Sequence, residues 1–168
     1  MATKMQGREA LVRKLKALSP ATRSAIKQAI AQGADELVAL QKRLAPVSAS
    51  GSHGNAPGAL RDSIVQTWGG QAGPKYASLR GGSPVEGDPD LSVLITAGNS
   101  AVRYAHLVEF GTAPHTNGGK FAGTQNPGTS AHPFFYSPYR ALKRRIKSRI
   151  TRATTKAAKA VAAGGGGT

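Results

Sequence analysis

The chain contains no cysteine, which excludes a disulfide framework and any thiolate metal site. Aromatic residues make up only 5% of it, so a large aromatic core is not available. No apolar run approaches the ~20 residues that a membrane-spanning helix needs. The N-terminal "MATKMQGREALVRK" is basic but has no apolar h-region, so it does not read as a signal peptide. The expectation is a soluble protein, made in a cytoplasm and not associated with a membrane. Acid is scarce too: eight Asp and Glu stand against 23 Lys and Arg, for a net charge of +15. Glu109 is the last acidic residue, and ten Lys or Arg follow it with no acid among them. A one-signed tail points to an acidic partner, either nucleic acid or an acidic protein face; the plainer alternative is a solvated basic helix.

What is present reads as an α+β chain. A helical extension over 1–19 carries Leu11, Leu15 and Leu18 on one face. Ser19-Pro20 then has the form of an N-cap followed by Pro at the first helical position. The helix it opens is expected to run from Pro20 to Leu44, with Ile26, Ile30, Leu37 and Val38 at helical spacing. Small polar residues make 46–59 a loop. "LRDSIVQTW", "KYASLRG" and "DLSVLITAG" read as three short strands separated by Gly- and Pro-rich turns. "NSAVRYAHLVEFG" fits either a short helix or a fourth strand; the helix is favoured, with Asn99 or Ser100 at its start and Gly111 at its end. Ser137-Pro138 repeats the cap-plus-proline start, and a basic helix should run from there to about Ala163. Leu142, Ile146, Ile150, Ala153, Ala157 and Val161 form its apolar stripe. Its N-terminal half is expected to pack on the sheet and its Ala-rich half to project. The result is one domain over 1–163, a small antiparallel sheet flanked by a long N-terminal and a long basic C-terminal helix, with a flexible Gly-rich tail at 164–168.

Between Phe110 and Phe134 the pattern breaks. From Gly111 to His132 the only large apolar side chain is Phe121. A structureless segment of this length inside a domain is usually functional or disordered. This one is expected to be mobile in the free subunit and to order on assembly.

Chemistry-bearing constellations are weak. His106 and Glu109 have an H-x-x-E spacing with His115 nearby, but HExxH is absent and no second acid follows. Glu86, Asp88 and Asp90 lie in a Gly/Pro turn without an apolar wall to raise a pKa. There is no G-x-S-x-G, and "GGQAG" and "GGK" lack P-loop spacing. No catalytic, cofactor or metal residue is expected. Glu109 stands out because it sits between Val108 and Phe110 in an apolar run: it is either a carboxylate that accepts backbone N–H bonds from the turn or pairs with an Arg, or an ordinary surface residue.

Three segments carry a resemblance. "APV" with the later "GALRDSI" resembles a P-V-x-T-G-x-L-x-x-S-I signature, although "SASGSHGNAP" separates its two parts here. "YAHLVEFGT" resembles Y-A-x-x-V-E-F-G-T, and "AHPFFYSPYRALKRRI" resembles a P-F-containing closing motif that leads into a C-terminal helix. In this order they resemble the tail-component family of long-tailed bacteriophages, also described as neck or tail-completion proteins. The resemblance implies a non-enzymatic virion protein that forms a ring, six-membered as for its tail-tube partners, at the head–tail junction. Its implied neighbours are head-completion or stopper proteins and tail-tube or tail-terminator proteins, with genomic DNA in the bore. On that view Glu109, Phe110, Gly111, Thr112, Lys120, Phe121, Pro133 and Phe134 are expected at subunit or partner contacts. Arg149, Arg152, Lys156 and Lys159 are expected to face DNA or an acidic ring. The alternative is a basic nucleic-acid-binding protein acting through its last helix, although that helix has no stacking aromatic after Tyr139.

Overall fold

Ser19 starts the first helix as its residue type requires. Its Oγ accepts the Thr22 N–H at 3.3 Å, and Pro20 occupies the first helical position. The computed structural model describes residues 19–51, 54–82 and 88–164. The expected helical extension before Ser19, Glu86 and the Gly-rich tail after Gly164 lie outside the described residues.

Helix α1, Pro20–Leu44, is followed by the single-turn helix α2, Ala59–Asp62. Strands β1 (Val65–Trp68), β2 (Leu79–Gly82) and β3 (Val93–Ala97) come next, then the short helix α3, Ala105–Phe110. The order across the sheet is β1-β3-β2, with both pairs antiparallel, so β1 and β2 are edges. Ile95 and Ala97, on one face of β3, and Leu94 and Thr96, on the other, are all buried. The alternation in "DLSVLITAG" thus belongs to a strand shielded on both sides rather than half-solvated. Ala34 and Leu37 of α1 join Ile95, Leu79, Phe134 and Phe135 in one core cluster.

Helix α4, Tyr136–Gly164, closes the fold. It departs from expectation in two ways. It packs along α1 rather than on the sheet, and its Ala-rich half does not project. Ala153, Ala157 and Ala160 line one open groove with Ala21, Ala25 and Ala29 of α1. Gly33, which in the sequence only weakens α1, explains the approach: a Cβ there would stand 2.9 Å from Ile146 Cγ2. Small residues on both helices bring the axes together, and Glu36 of α1 clamps the seam by pairing with Arg145 at 3.0 Å and Arg149 at 2.9 Å.

The acidic turn is tied back to α1. Asp88 pairs with Arg23 at 2.7 Å, and Asp90 pairs with Lys27 at 2.8 Å and Arg23 at 3.3 Å. Partial burial pushes the Asp88 carboxyl up, but the Arg23 guanidinium and the N–H groups of Asp90 and Leu91 outweigh it and hold it below its ordinary value. Lys27, then Arg23, hold Asp90 low as well. These carboxylates anchor the turn before β3.

Candidate assembly interface

Glu109 is 3% exposed, at the end of α3. Its two carboxylate oxygens accept the backbone N–H groups of Phe135 at 2.8 Å and Tyr136 at 3.0 Å. These are the opening N–H groups of α4, which have no partner within the helix. A carboxylate is favoured there by the helix dipole as well as by the hydrogen bonds. The cap of α4 is therefore supplied from 26 residues upstream, and the helix starts at Tyr136 rather than after Ser137-Pro138. Pro138 then falls in the first turn, where its missing N–H leaves nothing unsatisfied. With both oxygens committed, Glu109 is not part of a ligand set with His106. His115 instead uses Nδ1 in a 3.0 Å contact with the Ala113 carbonyl.

Glu109 also closes the base of the segment that follows it. The His132 N–H donates to Val108 O at 2.7 Å, so both ends of 111–132 leave from one point. Thr112 and Thr129 donate to each other's carbonyls at 3.0 and 3.1 Å, and their hydroxyls meet at 3.1 Å. Gly111 has φ 72°, and a Cβ on it would fall 2.5 Å from Thr129 O. Gly128 has φ 78° and lies so close to Thr112 O that no side chain fits. Beyond this base, β4 (His115–Thr116) pairs antiparallel with β5 (Gln125–Asn126), and a 3₁₀ turn over Gly119–Phe121 forms the tip.

The segment is a hydrogen-bonded arm, not a structureless loop. Polar rungs replace a core: Gln125 donates to Thr116 at 3.1 Å and Asn117 to Thr124 at 2.9 Å. No residue from Gly111 to His132 is buried. Phe121, at the tip, is 70% exposed, and a Cβ on Gly118 or Gly119 would meet no atom within 4 Å. An isolated two-stranded ribbon is marginally stable. Amide exchange in the free protein should therefore be graded, slowest at Thr112 and Thr129 and near the free-chain rate at Gly118 and Gly119. Uniformly fast exchange from 112 to 129 would mean that the arm forms only in an assembly.

The expected contact residues divide accordingly. Phe110 is 63% exposed and stacks on Tyr136 with ring centroids 5.9 Å apart. Gly111 and Thr112 form the base of the arm, Lys120 and Phe121 its tip, and Pro133 is exposed. Two residues are corrected: Phe134, 1% exposed, is core, and Glu109 acts inside the subunit. Among the residues expected to face DNA or acid, Arg149 is likewise reassigned, because it is half-buried and bound to Glu36. Arg152, Lys156 and Lys159 are exposed and follow Arg149 down one flank of α4. Sequence reasoning missed Glu36, whose only signal was an acid on a helix facing a basic one. It also missed Thr129 and Gly128, signalled by the Asn126-Pro127-Gly128 turn triplet.

A second concave feature lies between α4 and the sheet. It is an open cleft of about 520 Å³, floored by α1 at Ile30, Gly33, Leu37 and Gln41 and walled by Gly81, Val93, Tyr136, Tyr139 and Ile150. It exists because α4 leans on α1 rather than on edge strand β2.

Comparison with curated proteins and with solved structures finds no match. A family model described as "Bacteriophage HK97-gp10, putative tail-component" matches residues 9–111. The match covers more than half of the chain and ends at Gly111, where the arm begins. It takes in two of the three sequence motifs, including "YAHLVEFGT" with the capping Glu109. The chain belongs to the HK97-gp10-like family of bacteriophage tail components.

Proposed function

We infer that this tail component is a neck subunit, which forms a ring at the head–tail junction and completes or joins the tail to the head. It acts as a structural part and not as an enzyme. The observation that carries the reading is the arm. Its backbone is internally paired, it buries nothing, its tip presents Phe121 and Lys120 outward, and Glu109 fixes its base to the start of α4. A lone subunit gains little from such an element, because a ribbon without burial barely offsets its ordering entropy of roughly 1–2 kcal/mol per residue. A ring gains a reach to neighbouring copies and to the rings above and below. Six copies is the number expected, with head-completion or stopper proteins on one side and tail-tube or tail-terminator proteins on the other. The flank Arg152, Lys156 and Lys159 favours a second reading, a basic nucleic-acid-binding protein, and within a ring the same flank is placed to meet genomic DNA in the bore.

Electron micrographs of particles made without the protein test this. Full heads and free tails of normal length are the expected result. Tubes of uncontrolled length would make the protein a terminator instead, and normal joined particles would remove it from the junction.

A further inference from the structure

We propose that the cleft between α4 and the sheet receives an apolar anchor carried on an acidic amphipathic segment of a different protein. Three observations converge. First, the lining is largely apolar, with Ile30, Leu37, Val93, Ile95, Ile146 and Ile150 around it. Second, the mouth continues onto exposed aromatic surface, through Tyr136 to Phe110 and through Tyr139, which is 36% exposed. Third, the rim is basic: Arg80 is an exposed lining residue, and Lys143 lies 5.9 Å over the Tyr139 ring.

Charge decides the occupant. A second copy would bring a net charge of +15 to a basic rim. Among the described residues most acids it could offer are held by cations or backbone: Glu36 by Arg145 and Arg149, Asp62 by Arg61, Asp88 and Asp90 by Arg23 and Lys27, and Glu109 by backbone, while Asp35 accepts from the neutral Gln66 amide. Residues 1–18 carry five Lys or Arg and one Glu, so the chain's own N-terminal segment is mismatched in the same way. An apolar stripe flanked by carboxylates satisfies lining and rim together. The inference does not depend on which ring the protein forms.

The test uses the full chain and three synthetic peptides of about 14 residues, matched to a helical anchor pattern of i, i+3, i+4 and i+7. One has Leu at those positions and Glu elsewhere, one has Lys in place of Glu, and one is a scramble of the acidic peptide that lacks an apolar face. Titration by fluorescence anisotropy should show binding of the acidic amphipathic peptide alone. Gly81→Leu should weaken it by about tenfold or more (~1.4 kcal/mol), because Gly81 lines the cleft and a Cβ there is in ordinary contact with Phe135 at 3.6 Å, so the larger side chain takes up cleft space. Arg80→Glu, at an exposed position, should weaken it as well and guards against a folding defect in the first variant. Equal binding of the scramble, or competition by a 20-base-pair DNA duplex that both variants leave unchanged, would reduce the site to charge alone and overturn the proposal. Equal binding of the Lys peptide, or self-association of the chain that Gly81→Leu abolishes, would overturn it in favour of another occupant. Failure of all three peptides would overturn it too, while leaving the neck reading intact.

Discussion

Replacing Glu109 with Ala should destabilise the protein by about 3 kcal/mol. Among the described residues Glu109 touches no other side chain through a hydrogen bond or ion pair, so the effect comes from two backbone donors. Phe135 N–H is buried and Tyr136 N–H half-buried, and each would lose its acceptor. Hydrogen bonds to a charged group are worth roughly 1.5–3 kcal/mol each, and an orphaned buried donor costs about 1–3 kcal/mol, the two counts overlapping. The dipole of α4, with 29 residues and no acid in its first turn, loses the Glu109 carboxylate in the same step. Glu109→Gln keeps one accepting oxygen, so its loss should fall between those of wild type and Ala. Urea unfolding gives the free energies, and amide exchange at Thr112 and Thr129 gives a second readout. Exchange there should accelerate in the Ala variant, because the base of the arm rests on this cap. A loss under about 0.5 kcal/mol, the usual range for surface substitutions, would mean that water replaces the carboxylate and that the arm is held elsewhere.

The parts of this structure that were legible in the sequence are those fixed by local chemistry. Ser19-Pro20 specifies the start of α1 because the capping hydroxyl and the proline act within one turn. The "DLSVLITAG" strand follows from its residue types. The start of α4 was misplaced because its cap is not local. Ser137 looks like a cap, but a carboxylate 27 residues upstream of Tyr136 satisfies the helix first. The arm was legible as an interruption and not as a ribbon. Period-2 alternation of apolar residues marks a half-buried strand, and this ribbon buries neither side. Its register rests on Thr, Asn and Gln rungs and on two glycines that let the backbones approach. The side of α1 that α4 would choose was not legible at all. The apolar stripe Leu142, Ile146, Ile150 fits a sheet or a helix equally well, and what decides is the depression at Gly33 together with Glu36 one turn away on the α1 surface.

That same pairing narrows the charge argument to three residues. Replacing Arg152, Lys156 and Lys159 together with Gln should leave the fold intact and lower the yield of joined, infectious particles. The three lie at i, i+4 and i+7 on one flank of α4, all exposed, with no ion pair among the described residues. Arg149 and Arg145, one and two turns earlier, share the single carboxylate of Glu36. Beyond Arg149 the described chain has no acid left to offer, because each described carboxylate already holds a partner. Like charges at this spacing disfavour an isolated helix by a few tenths of a kcal/mol per pair. The Gln variant should therefore be as stable as wild type or slightly more so, which thermal unfolding will show. Arg149 is left in place, since changing it would open the α1–α4 seam and mix a folding defect with an assembly one. In the assembly each exposed charge contributes about 0.2–1 kcal/mol against an acidic surface, so three sum to ~0.6–3 kcal/mol, roughly 3- to 150-fold in affinity. Raised salt during assembly of wild type should reproduce the defect, because screening removes the same attraction. If the triple variant joins heads to tails at the normal yield, the flank serves solubility, and the partner for the charge of α4 must be sought at the cleft rim around Arg80 and Lys143.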